Sequence, residues 1–294
     1  MSDISKRRKI LESLAFWGIA VILTLVYTAY ENDPYDPLQG EAVFSDGTSV
    51  RYRFIRSKVI GTDLVIAVDT SPEVTGSVEF RRVSSRDPWT RIEMDRMILP
   101  VSTGHGRRPM DPDEQLAVIL PSLEEMGGKY AYQITLVKSG ELLVVNDGRG
   151  GPVVTRYRGD ISPLYLIPHI LFILLSMLLG IRAALESLRR DGHAVIFLWL
   201  TLVTLLLGGF VFGPLVQKQA FGVLWSGVPL GTDLTDNKVL VELLFWLNAL
   251  WFNTGRRKGT RWSGRTILIA GILTFLIYMI PHSLMGSAYD YTSG

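Results

Sequence analysis

At 294 residues the chain is long enough for more than one domain, and its 48% hydrophobic content and mean hydropathy of +0.25 exceed those of an ordinary soluble enzyme. Its 30 Lys and Arg against 28 Asp and Glu give a formal net charge of +2, and the basic residues cluster beside apolar runs instead of forming a stripe, which argues against nucleic acid as a partner. The absence of Cys excludes disulfides, Cys-ligated iron–sulfur clusters and haem attached through Cys.

Lys6-Arg-Arg-Lys9 precedes an apolar run, Leu14–Tyr30, that ends without a small-x-small cleavage signature. It is read as an uncleaved anchor with its basic start in the cytoplasm and Tyr27 and Tyr30 at the opposite interface. Residues 1–31 thus form a cytoplasmic tail and first span.

Residues 32–161 change to short alternating runs bounded by turn residues. Expected strands are Val50–Arg56, Leu64–Val68, Gly76–Arg82, Thr90–Met94, Leu116–Leu120, Tyr130–Val137, Glu141–Val145 and Val153–Tyr157. Tyr130, Tyr132, Ile134 and Leu136 recur at period two and predict one buried face. Asp46-Gly47 and Asn146-Asp-Gly148 supply turns. Strands at this spacing predict an all-β antiparallel sandwich inserted between the first and second transmembrane helices. Gly76-Ser-Val-Glu-Phe-Arg-Arg82, Trp89-Thr90 and Gly128-Lys-Tyr-Ala-Tyr-Gln-Ile134 resemble an immunoglobulin or fibronectin type III domain, which implies that fold and no activity.

Residues 162–294 carry four further apolar runs, Leu164–Ile181, Ala194–Phe212, Val239–Phe252 and Thr266–Leu284. Arg182, Arg189 and Arg190 are assigned to one connection, and Arg256, Arg257, Lys258, Arg261 and Arg265 to another. Both are cytoplasmic if Lys6–Lys9 is. The fold class expected is a five-helix transmembrane bundle in the bacterial inner membrane, with the N-terminus cytoplasmic. The sandwich, the segment 213–238 and the C-terminus are then periplasmic.

The segment 213–238 is polar, punctuated by Gly and Pro, and long for a connection without secondary structure, so an ordered lid at the periplasmic membrane face is expected. Its polar and aromatic residues Gln217, Lys218, Trp225, Asp233, Asp236 and Asn237, with Glu242 one turn into the fourth span, are the candidate ligand-binding residues. Asp233 or Asp236 also suits the N-cap of that span. Tyr165-Leu-Ile-Pro-His169 enters one span and Tyr278-Met-Ile-Pro-His282 leaves another, which puts both imidazoles near the outer interface. His169 and His282 are candidate ligands for a divalent metal, with carboxylates nearby, or for a non-covalent haem, with Gly208 and Gly209 leaving room for the macrocycle. Hydrogen bonds to carbonyls freed by the neighbouring prolines are the simpler alternative.

Gly213-Pro-Leu-Val-Gln-Lys218 with Phe221-Gly222, then Gly231-Thr-Asp-Leu-Thr-Asp-Asn-Lys238 and Pro281-His-Ser-Leu-Met-Gly-Ser287, resemble a family of bacterial polytopic membrane proteins of uncharacterised activity. That resemblance implies only that these segments belong to one structure. No P-loop, dinucleotide fingerprint, His-Glu-x-x-His pair or Gly-x-Ser-x-Gly elbow occurs. Two functions are expected first, a protein that binds a ligand, metal or haem at the periplasmic membrane face, or a non-catalytic accessory or assembly subunit of an envelope complex; a third is an enzyme acting on a lipid or envelope substrate through Glu242, Asp233 and Asp236. The expected partners are membrane lipid and other envelope membrane proteins.

Overall fold

The computed structural model describes residues 3–30, 37–99, 114–189, 193–280 and 289–292. The chain divides into a helical unit, residues 1–34 and 161–287, and a β unit, residues 35–160 and 288–294.

In the helical unit the apolar runs fold as α1 (Asp3–Tyr30), α2 (Pro163–Glu186), α3 (Ala194–Leu205), α4 (Gly213–Phe221), α5 (Leu234–Asn253) and α6 (Arg261–Tyr278). Ser162 starts α2: its hydroxyl accepts the Leu164 N–H at 3.3 Å, and Pro163 needs no donor in the first turn. A π-helical stretch, Leu206–Phe212, joins α3 to α4 without a break, so Ala194–Phe221 is one helix of 28 residues. Lys6–Ala29, Pro163–Glu186 and Ala194–Phe221 are long and apolar enough to cross a membrane, and Trp262–Tyr278 is a shorter apolar helix. Leu198, Leu202, Leu205, Trp246 and Ile267 form one buried cluster, and Ala20, Tyr27, Met177, Ile181 and Tyr278 form another.

The extended segment expected over 213–238 is therefore shorter than the sequence implies. Gly213 and Pro214 read as a breaker, yet proline is tolerated in the first turn of α4 and the π turn before it absorbs the mismatch. Arg182 likewise lies inside α2 and is buried, not in the connection that follows.

The β unit contains β1 (Leu38–Val43), β2 (Ser49–Phe54), β3 (Ser57–Val59), β4 (Leu64–Thr70), β5 (Thr75–Arg82) and β6 (Thr90–Glu93). It continues with β7 (Asp95–Met97), β8 (Gln115–Leu120), β9 (Lys129–Lys138), β10 (Glu141–Val145) and β11 (Val153–Arg158). One sheet runs β1-β2-β4-β8-β7 and the other β3-β11-β9-β5-β6, with β10 also on β9. Pairing is antiparallel except between β3 and β11, and neither sheet closes into a barrel. Both sheets contribute to one core that includes Phe54, Leu64, Ile66, Leu120, Tyr132 and Leu136. Each such side chain contributes roughly 1.5–3 kcal/mol on burial. The period-two face of β9 is buried as expected.

The C-terminal residues pack with the β unit. Tyr289 donates its N–H to the Gly127 carbonyl at 3.1 Å, and Tyr291 donates its own to Ser84 at 2.9 Å. The Tyr291 hydroxyl donates to Glu125 at 3.1 Å, and the Arg82 guanidinium lies 4.4 Å from the ring centre. A side chain at Gly128 would put its Cβ 2.4 Å from that hydroxyl oxygen, so the tail needs glycine there.

Candidate functional site

The polar residues before α5 converge, and on one another. Asp233 caps α5, accepting the N–H groups of Thr235 at 2.8 Å and Asp236 at 3.4 Å. Asp236 Oδ2 accepts the backbone N–H groups of Ser226 at 2.6 Å and Gly227 at 3.0 Å, the Ser226 hydroxyl at 3.1 Å and Gln217 Nε2 at 3.1 Å. Asn237 Oδ1 accepts the Val228 N–H at 2.8 Å. Trp225 stacks on Phe210 with ring centres 5.6 Å apart and donates its indole N–H to the Val228 carbonyl. Asp236 is buried, Lys218 is exposed, and Gln219 Oε1 accepts the Ser162 N–H at 2.8 Å, tying α4 to the start of α2. A connection of irregular backbone leaves many N–H groups unpaired, and this one satisfies them with the side chains expected to hold a ligand.

His169 meets the Gly208 carbonyl through Nδ1 at 2.9 Å. A carbonyl only accepts, so Nδ1 carries the proton in this contact. The same carbonyl receives the Gly213 N–H that closes the π turn. Gly208 and Gly209 open no space for a macrocycle: a Cβ at Gly208 would lie 2.9 Å from the Ile173 backbone nitrogen, and one at Gly209 would lie 2.5 Å from Val239 Cγ1. The glycines admit α2 and α5 instead. His282 lies outside the described residues, and among those described no group of three or more His, Asp or Glu converges as a metal-ligand set.

Glu242 is the most buried carboxyl residue among those described, 1% exposed on α5. Its Oε1 accepts the Thr274 hydroxyl of α6 at 3.1 Å, and Thr274 Oγ1 in turn accepts the Trp246 indole N–H at 2.9 Å. Trp246 and Tyr278 also stand near the carboxyl. Tyr278 shares a hydrogen bond of 3.1 Å with Ser176 of α2, and Ser176 donates to the Ile173 carbonyl at 2.8 Å. Lys238, one turn earlier, does not pair with Glu242; its ammonium donates to the Ile280 carbonyl at 2.6 Å. The carboxyl therefore has neutral donors around it and no cation among the described residues. Motif reasoning singled out Glu242 but missed Thr274, Trp246 and Ser176, because hydroxyls and indoles are ordinary in apolar helices. Their signal is the pair of i,i+4 spacings, 242 with 246 and 274 with 278, on adjacent helices.

A second buried centre lies at the other end of α2. Arg182 and Glu186 form an ion pair with side chains only 3% and 4% exposed. The guanidinium packs against Phe16, Trp17 and Phe197, 5.4, 5.4 and 4.5 Å from the ring centres, and donates to Ser13 Oγ at 3.2 Å. Glu186 Oε1 accepts the His193 N–H at 3.2 Å, and Arg189 stands 3.5 Å away. These contacts join α1, α2 and the start of α3.

The sequence matches no protein-family profile, no curated protein and no solved structure.

Proposed function

We propose that the chain is a non-catalytic accessory or assembly subunit of the bacterial inner membrane, a five-span anchor presenting a periplasmic immunoglobulin-like sandwich. The observation that carries this reading is the internal use of the lid residues: Asp233, Asp236, Asn237, Gln217 and Trp225 hold their own connection closed, and His169 is bonded to a backbone carbonyl. The recognition surface is then the β unit.

Its connectivity supports the sandwich. With β2 and β3 taken as one strand that changes sheets, the orders β2-β4-β8-β7 and β11-β9-β5-β6 resemble the A-B-E-D and G-F-C arrangement of immunoglobulin-like domains, with β1, β6 and β10 as added strands. The tail supports the span count. Tyr289 and Tyr291 pack within the β unit, which supports an even number of crossings between residues 160 and 289. With α2 and the helix Ala194–Phe221 crossing, α5 and α6 cross together or not at all. Their fully buried Trp246 and Thr274 favour crossing together. Lys6–Lys9 and the basic run 256–265 then share the cytoplasmic face.

Mild detergent extraction from native membranes, followed by mass spectrometry of companions, tests this function. A stoichiometric envelope protein is the expected result, and a monodisperse chain with no companion in native membranes overturns it.

A second reading rests on Glu242, since a carboxyl group inside membrane helices marks a binding or transfer site by default. In that reading the bundle binds a small ligand beside Thr274 and Tyr278. Unchanged complementation by Glu242→Gln removes it, and an optical spectrum with metal analysis of the purified protein tests its metal and haem forms.

A further inference from the structure

The strand registers give the β unit two chemically different ends. β11 leads into α2 through Gly159–Ser162 alone, so the end holding Arg158 is the one from which the chain enters the apolar helix. Arg158 pairs with Val59, Arg156 with Lys129, and Tyr130 with Arg82, which brings the β5–β6 loop, residues 83–89, to that same end. Leu38, where the chain arrives after α1, pairs with Phe54 at the end of β2 that faces the same way. Tyr289 and Tyr291, following α6, dock at Gly127 and Ser84, again at this end. Within the β unit, the described residues beside each of the three connections thus lie toward one end.

That end carries Trp89, 41% exposed, with the Arg81 guanidinium 4.9 Å from its ring centre, and an exposed Arg86 without a partner among the described residues. Some of its acids are engaged and others, Asp160 and Asp290 among them, are exposed. Asp87 accepts two bonds from Arg82 at 2.6 and 3.0 Å, Glu125 accepts from Tyr291, and Asp63 accepts the Ser122 N–H at 3.0 Å; Glu124 is exposed. The opposite end, at the β1–β2 and β9–β10 turns, carries Asp46, Glu73 and Glu141 around Lys138.

We propose that the β5–β6 loop is a lipid-docking surface, with the Trp89 indole at the headgroup level and Arg81 and Arg86 on anionic phospholipid phosphates. Indole rings favour the membrane–water interface, and arginines near an anionic surface are drawn to its phosphates. The proposal rests on α2 crossing the bilayer, and not on which leaflet faces the β unit.

The natural absence of Cys makes the test direct. Full-length protein carrying Thr90→Cys or Glu73→Cys, each labelled with a polarity-sensitive fluorophore, is placed in nanodiscs of phosphatidylcholine with or without phosphatidylglycerol. The expected result is quenching of the residue-90 probe by headgroup-proximal doxyl lipid, a blue shift on adding phosphatidylglycerol, and neither effect at residue 73. Arg81→Glu with Arg86→Glu abolishes the phosphatidylglycerol shift. Equal or absent quenching at the two positions overturns the proposal without recourse to the charge variants. Labelling of both cysteines by an impermeant thiol reagent from the cytoplasmic side contradicts the periplasmic assignment, whereas doxyl quenching is independent of sidedness, so the two failures are distinguishable.

Discussion

The helical unit buries the carboxyl groups of Glu186 and Glu242 in its packed helices and treats these two in opposite ways. Glu186 meets a full charge: Arg182 sits beside it, boxed by Phe16, Trp17 and Phe197. Among the described residues Glu242 meets neutral groups: the Thr274 hydroxyl donates to it, and Trp246 and Tyr278 stand near. Removing a carboxyl from water is costly in both places, and the cost is offset by an ion pair in one and by a shared hydroxyl network in the other. The stakes of losing a single partner differ accordingly. An ion pair with one member removed strands a charge, whereas a network with one member removed strands a dipole.

The largest expected effect is therefore at Arg182. Arg182→Leu leaves Glu186 with Arg189 and one backbone donor, and should destabilise the protein by about 3–5 kcal/mol, as removal of one member of a buried pair does. Pairing it with Glu186→Leu should recover most of that loss, since apolar replacement of a whole buried pair is often neutral. Thermal unfolding in one detergent reads both; a double variant as unstable as the single would mean that aromatic packing of the guanidinium, not the pair, sets the cost.

Thr274→Val comes next, because Thr274 stands between the Trp246 indole and the Glu242 carboxyl. Losing its hydroxyl leaves both short of a partner and should cost about 1–2 kcal/mol. Glu242→Gln keeps an acceptor oxygen for Thr274 and should change stability by less than about 0.5 kcal/mol. If Glu242→Gln proved as costly as Thr274→Val, the carboxyl and not the hydroxyl would be the centre of the network. The comparison with Glu186 would then lose its basis.

These two centres were unequally legible in the sequence, and the β unit was more legible than either. Period-two alternation with turn residues marked β2, β4, β5, β6, β8, β9, β10 and β11, because a sheet with one buried face writes its pattern locally. β3 and β7 are three residues each, too short to show a period, and β1, Leu-Gln-Gly-Glu-Ala-Val, is an edge strand with little buried. Glu242 was visible because a carboxyl in an apolar run is rare. Its partners come from another helix and depend on how α5 meets α6. Arg182 was read as a loop charge, though Arg182 and Glu186 stand at i,i+4, the spacing of an ion pair on one helix face. In the segment 213–238 the Gly and Pro residues were legible as punctuation, but not the π turn that lets the helix run through them.

An exposed pair sets the lower end of the scale. At the β1–β2 and β9–β10 turns of the β unit Lys138 Nζ lies 2.6 Å from Asp46, whose Oδ1 also accepts the Thr48 N–H at 2.9 Å. The hydrogen bond from Lys138 first, and those from Thr48 next, hold the Asp46 carboxyl at about 2, below its ordinary 3.8. A carboxyl whose pKa is depressed on folding contributes its stability above the unfolded value and loses it as the pH falls through the folded one. The Asp46 contribution should thus be present above pH 4 and fade between pH 4 and about 2. Asp46→Asn cannot titrate there and cannot form the ion pair. Unfolding midpoints of the two proteins should differ by a constant amount above pH 4 and converge toward pH 2, where protonated Asp46 resembles the amide. The gap should also shrink with added salt, because the pair is open to solvent. A gap that persisted at pH 2, or that salt left untouched, would show that the Asp46 side chain matters for the geometry of its turn and not for its charge. Exposed and buried carboxyls would then no longer differ by dielectric alone.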